Sequence, residues 1–345
     1  MKSHTRCFGR RAFGSLLAGS AIALSGRRAA AQSGSLDALV AAARAEGGLV
    51  FYCGAPEGMP KRAIEGFTKR YNIPAQFVRI SSGPLQQRFS TEALSGQIAA
   101  DFVLLAGNAI PFGREGIEKG WMEPVAKAGI PAIGGEFPSS WLRGDGVGAV
   151  VQVAPWVIAY NSEFVKEGDV PKDWSELIAP KFRGQIILAD PLASDAYYDE
   201  WQTVLDKHGE AWFAGLRAQA IRWRGDGINA TNSLAAGECW FHYPVTAAQI
   251  TDVARKGAPV KMVSFDLTSG VEMTLLMTHP SKAKHPNAAK LFANYLLTAE
   301  GSRLFNDDPG IVGPYSGAMP KEYKAPKGVW TPPERDKLRK LLGLS

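Results

Sequence analysis

Three short turns in the first third of the chain are rich in the small and hydroxyl-bearing residues that leave backbone N–H groups free to face a solute. Each turn follows an apolar stretch that is typical of a buried strand. The turns are Cys53-Gly54-Ala55, Ser81-Ser82-Gly83 and Gly107-Asn108. Backbone amides of such turns and of helix N-termini bind anionic groups without a charged side chain. The three turns therefore predict a site for a small polar solute.

Hydroxyl, carboxylate and aromatic side chains in the second half of the chain are candidates for the same site. Asp190, Asp195 and Asp226 would disfavour a bare anion and could pair with an ammonium group. A zwitterionic or amine-bearing solute therefore fits this set better than phosphate. The candidate ligand-binding residues are Cys53, Gly54, Ser81, Ser82, Asn108, Trp156, Ser194, Asp195, Tyr197, Asp226, His242 and Tyr243. For the aromatic members and His242 the alternative is packing in a core, and for Asp190 and Asp195 it is capping of turns.

Sequence motifs for covalent or zinc-assisted catalysis do not occur in the chain. It contains no Gly-x-Ser-x-Gly, His-Glu-x-x-His or Cys-x-x-Cys. Residues Gly144–Ala149 fit a relaxed dinucleotide-binding fingerprint, but that motif must follow a strand and open a helix, whereas this one leads into a strand. We therefore expect a binding protein without catalytic activity or cofactor. An extracellular enzyme that uses the same cleft is the second alternative.

The positive charge of the chain is concentrated at its N-terminus. The 345 residues carry a formal net charge of +6, with 39 Lys and Arg against 33 Asp and Glu. Six of those bases and none of the acids lie in residues 1–31, so the remainder balances 33 bases with 33 acids. Net charge indicates nucleic-acid or membrane binding only where the folded part carries it. We therefore expect no nucleic-acid partner.

Residues 1–31 have the three regions of a cleavable export signal. Arg10-Arg11 precedes a weakly apolar stretch over residues 12–24, and Ala29–Ala31 offers small residues for cleavage. Adjacent arginines before a weak apolar stretch are typical of twin-arginine export, with a standard secretory signal as the alternative. The leader predicts cleavage near Ala31 and a periplasmic protein.

Strands and helices must alternate to place the three turns together. The apolar stretches 49–52, 76–80 and 100–105 are separated by segments with helical spacing of apolar residues. This order is typical of an α/β fold with a doubly wound parallel sheet and helices on both faces. Ligands bind such sheets beyond the carboxyl ends of the strands, which is where the turns lie.

Two longer apolar segments predict a second lobe. Residues 146–160 form a strand that could leave the first lobe, and residues 270–277 could return to it. We expect one lobe from 32–153 and 265–345, and an inserted lobe from 154–264, with hinges near Val153–Trp156 and Phe265–Gly270. The chain from Pro320 is expected to wrap loosely. Cys53 and Cys239, predicted on opposite lobes, could form a disulfide in an oxidising compartment. Such a bond would prevent the lobes from moving relative to each other, so we expect free thiols.

The mature sequence resembles the class II solute-binding proteins of ABC importers, in the branch that binds ferric ion, polyamines, thiamine and aminophosphonates. The stretches that carry the resemblance are Gly47–Ala55, Gly66–Tyr71, Ala100–Leu104, Trp156–Asn161, Asp173-Trp174 with Leu177, Pro180–Gly184, Asp190-Pro191, His285–Phe292 and Glu300-Gly301. The resemblance implies a type II periplasmic-binding-protein fold, in which two α/β lobes are joined by two crossing strands and close on a solute. It also implies delivery of that solute to permease subunits in the inner membrane. We expect a monomer.

Ferric ion is the first alternative solute. The sequence does not identify the residues that would bind the metal. The resemblance implies adjacent tyrosines after the strand that follows Gly237-Glu238, but this chain has His242-Tyr243-Pro244 there. Fe(III) is a hard cation that favours anionic oxygen ligands, and one phenolate with a neutral imidazole makes a weak site. Tyr197 and Tyr198 are consecutive residues of a predicted helix and point about 100° apart, so they are not expected to reach one ion.

Overall fold

Strands and helices alternate along residues 36–345, the part of the chain that the computed structural model describes. The predicted export signal lies outside these residues. The elements are α1 (36–46), β1 (Leu49–Cys53), α2 (Gly58–Tyr71), β2 (Ala75–Arg79), α3 (Ser82–Leu94), β3 (Phe102–Leu105), α4 (Ala109–Glu118), β4 (Met122–Glu123), β5 (Leu142–Arg143), β6 (Gly148–Asn161), β7 (Ile186–Ala189), α5 (Ala196–Ala218), β8 (Arg222–Arg224), α6 (Gly227–Ala235), β9 (Phe241–Thr246), α7 (Ala247–Ala254), β10 (Val260–Ser264), β11 (Leu267–Thr268), β12 (Gly270–Thr278), α8 (Pro286–Leu296), α9 (Ala299–Phe305), β13 (Glu322–Tyr323) and α10 (Pro332–Leu342). Among these residues no helix is both long and apolar enough to cross a membrane.

The first lobe is built on the parallel strands β2, β1 and β3, with β12 antiparallel beside β3. Successive residues of β1 point to opposite faces, as the pleat requires. Phe51 packs with Phe102 and Phe292 in the core on one face, and Tyr52 lies in the core on the other. The predicted parallel sheet with helices on both faces is confirmed.

The second lobe is built on the parallel strands β9, β7 and β8, with β6 antiparallel beside β9 and β10 antiparallel to β6. Its two cores lie on opposite faces of the sheet. Helix α5 combines the two helices predicted around 197–208 and 211–218, and its backbone breaks from helical geometry at Gly209. The two-lobed α/β fold is thus confirmed.

Strand β6 belongs to both lobes. All of its 14 residues are buried. Its first half pairs with β12 as far as Pro155, and its second half pairs with β9 and β10 from Trp156 onward. Where the chain returns, Gly270 pairs with Pro155, and a Cβ at Gly270 would lie 2.7 Å from the backbone oxygen of Ala154. A larger residue there would separate the two crossing strands.

The C-terminal segment packs on the second lobe rather than wrapping loosely. Helix α10 begins at a capping box formed by Thr331 and Glu334. Trp330, Leu338 and Leu342 are buried in the core that also contains residues of α5. The division expected from the sequence groups 265–345 with the first lobe, and α10 differs from it because its apolar face has its partner on α5.

The carboxyl group of Asp199 anchors this segment. One of its oxygens accepts hydrogen bonds from the backbone N–H of Lys327 at 2.8 Å and from Nε1 of Trp330 at 3.1 Å. Burial of this side chain raises the pKa of Asp199 to about 6. The folded chain therefore binds a proton in the range between about pH 4 and pH 6 that the unfolded chain has already released.

We expect the free energy of unfolding to fall as the pH rises from about 4 to about 6, because the folded state retains the proton on Asp199 there and the unfolded state lacks it. Relative to Asp199→Asn, the free energy of unfolding of the wild type should decrease by up to about 3 kcal/mol between pH 4 and pH 7. Urea unfolding at a series of pH values measures this difference. Asp206→Asn, a change at an exposed carboxyl on the same helix, is the control. Parallel pH profiles for the wild type and Asp199→Asn would contradict the prediction.

Cys53 and Cys239 lie in cores of different lobes and are not joined to each other. Burial raises the pKa of each thiol to about 12. Since the thiolate is the reactive form of cysteine, both thiols are protected from reaction at neutral pH.

Candidate functional site

A cavity of about 60 Å³ lies between the lobes. A space of this size holds only a few water molecules, and the lobes touch beside it, where a Cβ at Gly83 would lie 2.8 Å from the backbone oxygen of Leu192. The residues that line this interlobe cavity are Gly54, Pro56, Met59, Arg79, Ser81, Ser82, Ala106, Gln152, Trp156, Ala193, Ser194, Tyr197, Asp226, Gly227, Thr246, Ala248, Gln249, Val271 and Met273.

Five helices begin at or beside the cavity. Helices α2 and α3 come from the first lobe, and α5, α6 and α7 come from the second. Lining residues lie in the first turn of each or next to it, including Met59, Ser82, Tyr197, Gly227 and Ala248. Each helix N-terminus carries roughly half a positive charge, which is located on its first backbone N–H groups. The cavity is therefore electrostatically suited to a negatively charged group.

Arg79 adds a full positive charge to the cavity. It is the last residue of β2, so its side chain leaves the carboxyl end of the sheet. Its guanidinium Nη1 lies 3.6 Å from Oδ2 of Asp226, and the side chain is 20% exposed. Among the described residues its Nε has no hydrogen-bond partner. A guanidinium has five N–H donors and no acceptor, so Arg79 has donors available for a solute.

Asp226 faces Arg79 from the second lobe. Its Oδ1 accepts a hydrogen bond from the backbone N–H of Asn229 at 2.8 Å and so caps α6. Its Oδ2 points toward Arg79. One oxygen of this carboxylate is thus committed to the helix, and the other is available to a cation.

Two aromatic rings form one wall of the cavity. Trp156 and Tyr197 stack with their centroids 4.9 Å apart and an interplanar angle of 24°. Burial raises the pKa of the Tyr197 hydroxyl, so the ring stays neutral. A Cβ at Gly227 would come within 2.5 Å of that hydroxyl, which explains why glycine begins α6. The indole N–H of Trp156 is buried without a partner in the described part of the chain.

Two glutamine side chains line the cavity on either side of the lobe boundary. Gln152 lies on β6 and is 2% exposed, and the nearest polar partner of its Nε2 is the thioether of Met59 at 3.5 Å. The side-chain oxygen of Gln249 accepts from the backbone N–H of Thr246 at 3.2 Å, which leaves its Nε2 group for other acceptors. Both residues offer uncharged donors and acceptors to a solute.

Seven of the residues predicted from the sequence line the cavity, namely Gly54, Ser81, Ser82, Trp156, Ser194, Tyr197 and Asp226. Two of the serines already have a structural bond. Oγ of Ser82 accepts from the backbone N–H of Ala106 at 3.0 Å, and Oγ of Ser194 accepts from that of Ala196 at 3.3 Å. Each hydroxyl keeps its own proton to donate. That these residues bind solute stays a prediction.

The remaining five predicted residues are outside the cavity lining. The side chain of Cys53 is buried in the first-lobe core. Nδ1 of His242 bonds to the backbone oxygen of Ile187 at 3.1 Å, and burial lowers the pKa of this imidazole to about 4. The hydroxyl of Tyr243 donates to the buried carboxylate of Glu200. Both side chains thus follow the alternative interpretation of core packing.

Asn108 and Asp195 border a neighbouring groove instead. Asp195 pairs with Arg335 at 2.6 Å, and the nearby Asp190 pairs with Arg339 at 2.8 Å. Both arginines lie on α10, so the C-terminal helix neutralises two of the three carboxylates that the sequence places at the mouth. Asp226 is the one whose cationic partner comes from the opposite lobe.

Sequence reasoning missed Arg79, Gln152 and Gln249. The sequence places Arg79 inside a predicted strand, where the available signal is a charged residue next to the turn that follows the strand. Gln152 gives a similar signal, since it is the one amide side chain in the predicted apolar segment 146–160. Within residues 36–345, no group of three or more His, Cys, Asp or Glu side chains is arranged to hold a metal ion.

Residues 49–308 match the model of a family described as bacterial extracellular solute-binding proteins. The structure is similar to that of the periplasmic binding protein AfuA from Actinobacillus pleuropneumoniae with fructose-6-phosphate bound, with a TM-score of 0.62 and 21% identity over 86% of this chain and 96% of AfuA. It is similar to iron-bound HitA from Pseudomonas aeruginosa, with a TM-score of 0.60 and 19% identity over 86% of this chain and 97% of HitA.

A third similar structure is the substrate-binding protein of an ABC transporter from Agrobacterium tumefaciens. Its TM-score is 0.71, with 16% identity over 85% of this chain and 94% of that one. At these identities the structures share the fold, and the family match rests on the sequence itself. The match covers most of the chain, including both lobes and every residue that lines the cavity. The chain therefore belongs to the family of bacterial extracellular solute-binding proteins.

Proposed function

We propose that this protein captures a small organic solute that carries both an acidic group and an amino group, and delivers it to the permease of an ABC importer. The observation that carries the proposal is the pair formed by Arg79 and Asp226, which face each other from opposite lobes within a ring of helix N-termini. A solute between the lobes would meet a cation on one side and an anion on the other.

The acidic group is assigned to Arg79. Its guanidinium can donate two parallel hydrogen bonds to a carboxylate, phosphate or phosphonate, and such charge-assisted pairs are roughly twice as strong as neutral ones. The N-termini of α2 and α3 come from the same lobe as Arg79 and favour the same charge. AfuA, whose structure contains a sugar phosphate, binds a solute with an acidic group of this kind.

The amino group is assigned to Asp226 and the side-chain oxygen of Gln152. Oδ2 of Asp226 is directed at Arg79 rather than at a residue of its own lobe. An ammonium placed there would replace the guanidinium as its partner, and the solute acid would replace Asp226 as partner of Arg79. The number of ion pairs would rise from one to two as the solute enters.

Ferric ion receives no support from the placement of Tyr243 and His242. Both side chains are buried outside the cavity, and Tyr197 is the one tyrosine among the lining residues. The hard-cation chemistry of Fe(III) calls for several anionic oxygens. In the cavity, Asp226 supplies the carboxylate and Arg79 opposes a cation.

Periplasmic location and a permease partner complete the proposal. They are supported by the description of AfuA as a periplasmic binding protein and by the transporter context of the A. tumefaciens protein. The arginine pair and apolar stretch of residues 1–31 provide a route of export. We propose a monomer in the periplasm, since each chain has its own complete cleft.

A ligand screen on the mature chain from Gln32 onward tests the proposal. The panel contains amino acids, aminophosphonates, polyamines, thiamine, sugar phosphates and Fe(III). We expect the largest rise in Tm with a compound that carries both charges, since a ligand at 100 times its Kd stabilises a protein by about 2.7 kcal/mol. Stabilisation by Fe(III) alone, or turnover of any compound, would reject the proposal.

Asp226→Asn then tests the role of the amino group. Asparagine also caps helices well, so α6 keeps its N-cap while the charge is lost. Calorimetry should show that this variant loses at least tenfold in its preference for the amino compound over the same compound without its amino group. Asp206→Asn is the matched control. An unchanged preference would remove Asp226 from the site.

A further inference from the structure

Helix α7 has two faces that serve different lobes. Ile250 and Val253 pack in the second-lobe core beneath β6 and β9. Ala248, Asp252 and Arg255 follow one another at intervals of four and three residues, which places them on a common face of the helix. Ala248 is buried in the first-lobe core that contains Met59 and Phe51. The helix therefore lies at the boundary of the lobes.

Asp252 contacts the first lobe at the start of α2. Its Oδ2 accepts a hydrogen bond from the backbone N–H of Gly58 at 3.3 Å. A Cβ at Gly58 would lie 2.4 Å from the other carboxylate oxygen, so a larger residue would push the side chain of Asp252 away. A carboxylate at a helix N-terminus is stabilised by the helix dipole. Here the carboxylate and the helix belong to different lobes.

Arg255, the C-cap residue that follows α7, forms a second contact across the boundary. Its Nη1 lies 3.3 Å from Oδ1 of Asp308, whose side chain is fully buried. The other oxygen of Asp308 accepts from Nη2 of Arg62 at 2.5 Å, and Arg62 belongs to the first lobe. If the lobes moved apart, Arg62 would stay with Asp308, which belongs to the same lobe, and Arg255 would lose its contact with Asp308. Oδ1 of Asp308 has no hydrogen-bond partner among the described residues, so the guanidinium of Arg255 is the group that compensates its negative charge.

Neither Asp252 nor Arg255 lines the interlobe cavity, whereas Thr246, Ala248 and Gln249 at the start of the same helix do. One rigid helix thus joins the cavity wall to two contacts outside it. We propose that Asp252 and Arg255 are positioning residues for solute capture, which raise affinity by stabilising the closed arrangement of the lobes without touching the solute. The inference rests on the proposed capture of solute by lobe closure, and it is independent of the class of solute.

The apparent affinity for solute depends on how many molecules are already closed. The apparent affinity of a protein falls in proportion to the fraction that is in the binding-competent state. If the two contacts stabilise the closed state, their removal should raise the ratio of open to closed molecules in the absence of any ligand. The distance between the lobes therefore reports on the inference directly.

The experiment measures that distance in the ligand-free mature chain. Lys69→Cys in the first lobe and Lys166→Cys in the second, both at exposed positions, receive spin labels for pulsed electron paramagnetic resonance. The buried native cysteines are protected. Asp252→Ala combined with Arg255→Ala should shift the distribution to longer distances and raise the open-to-closed ratio at least threefold. Arg255→Lys in place of Arg255→Ala should restore part of the closed population.

Lys181→Ala is the matched control, because it breaks an exposed ion pair with Asp169 inside the second lobe. It should leave the distribution unchanged. Identical distributions in the wild type and the double variant would overturn the inference, even if urea unfolding showed a loss of stability. A shifted distribution together with a failed ligand screen would reject the proposed solute class and keep the role of α7.

Discussion

Replacement of Arg79 by glutamine should reduce solute affinity at least 100-fold. Two charge-assisted hydrogen bonds to the acidic group are lost, each worth about 1.5–3 kcal/mol, and about 1.4 kcal/mol corresponds to a factor of ten in Kd. The side chain of Asp226 also loses the cation that faces it at 3.6 Å. Calorimetric titration with the compound that gives the largest thermal shift measures the change.

Two further variants separate the effects of charge and geometry at Arg79. Arg79→Lys keeps the charge but loses the fork of parallel donors, so its affinity should lie between those of the wild type and Arg79→Gln. Arg303→Gln alters an exposed arginine of the first lobe and should bind as the wild type does. Affinity of Arg79→Gln within threefold of the wild type would place the acidic group elsewhere.

Replacement of Glu200 by alanine should lower the free energy of unfolding by about 3–5 kcal/mol, because three buried hydrogen-bond donors lose their acceptor. The carboxylate is fully buried on α5. It accepts from the backbone N–H of Ser269 at 2.7 Å, from the hydroxyl of Ser269 at 2.8 Å and from the hydroxyl of Tyr243. Each of these donors would be left buried without its acceptor, which costs about 1–3 kcal/mol per group. Urea unfolding of the ligand-free chain measures the loss.

Conservative changes locate the origin of this effect. Glu200→Gln keeps one acceptor oxygen and should lose less stability than Glu200→Ala. Tyr243→Phe removes one donor and should cost about 1 kcal/mol, while its affinity for solute should stay within twofold of the wild type because Tyr243 is outside the cavity lining. A large loss of affinity in Tyr243→Phe would mean that the ring contacts the solute. Equal stability of Glu200→Ala and the wild type would contradict the importance of the buried carboxylate.

The fold could be predicted from local patterns because each strand of the first lobe is a short apolar run bounded by turn residues. Residues 146–160 were predicted as one long strand, and the structure has β6 at Gly148–Asn161. Helix α10 was missed because its apolar positions are sparse, and its partner on α5 is more than 100 residues away in the sequence. Periodicity within a segment does not reveal a partner that is so distant.

The site was predicted less completely because its members depend on contacts between lobes. Tyr243 lies near the expected position of a ligand tyrosine, yet its hydroxyl is taken by Glu200, 43 residues earlier in the chain. The carboxylate of Asp195 is likewise paired with a distant residue, Arg335. The position of Arg79 near the end of a strand is visible in the residues around it, but Asp226, which faces it from the opposite lobe, is not.

The continuity of β6 through both lobes has a thermodynamic consequence for solute capture. Lobes tethered by a flexible linker sample many relative orientations, and binding must then freeze that freedom. Here the lobes share one buried strand and a second that pairs with it through Gly270 and Pro155, so their relative motion is restricted to bending and twisting of a two-stranded ribbon. Little orientational entropy remains to be lost on closure. More of the proposed interaction energy of Arg79 and Asp226 with a solute can therefore be expressed as affinity.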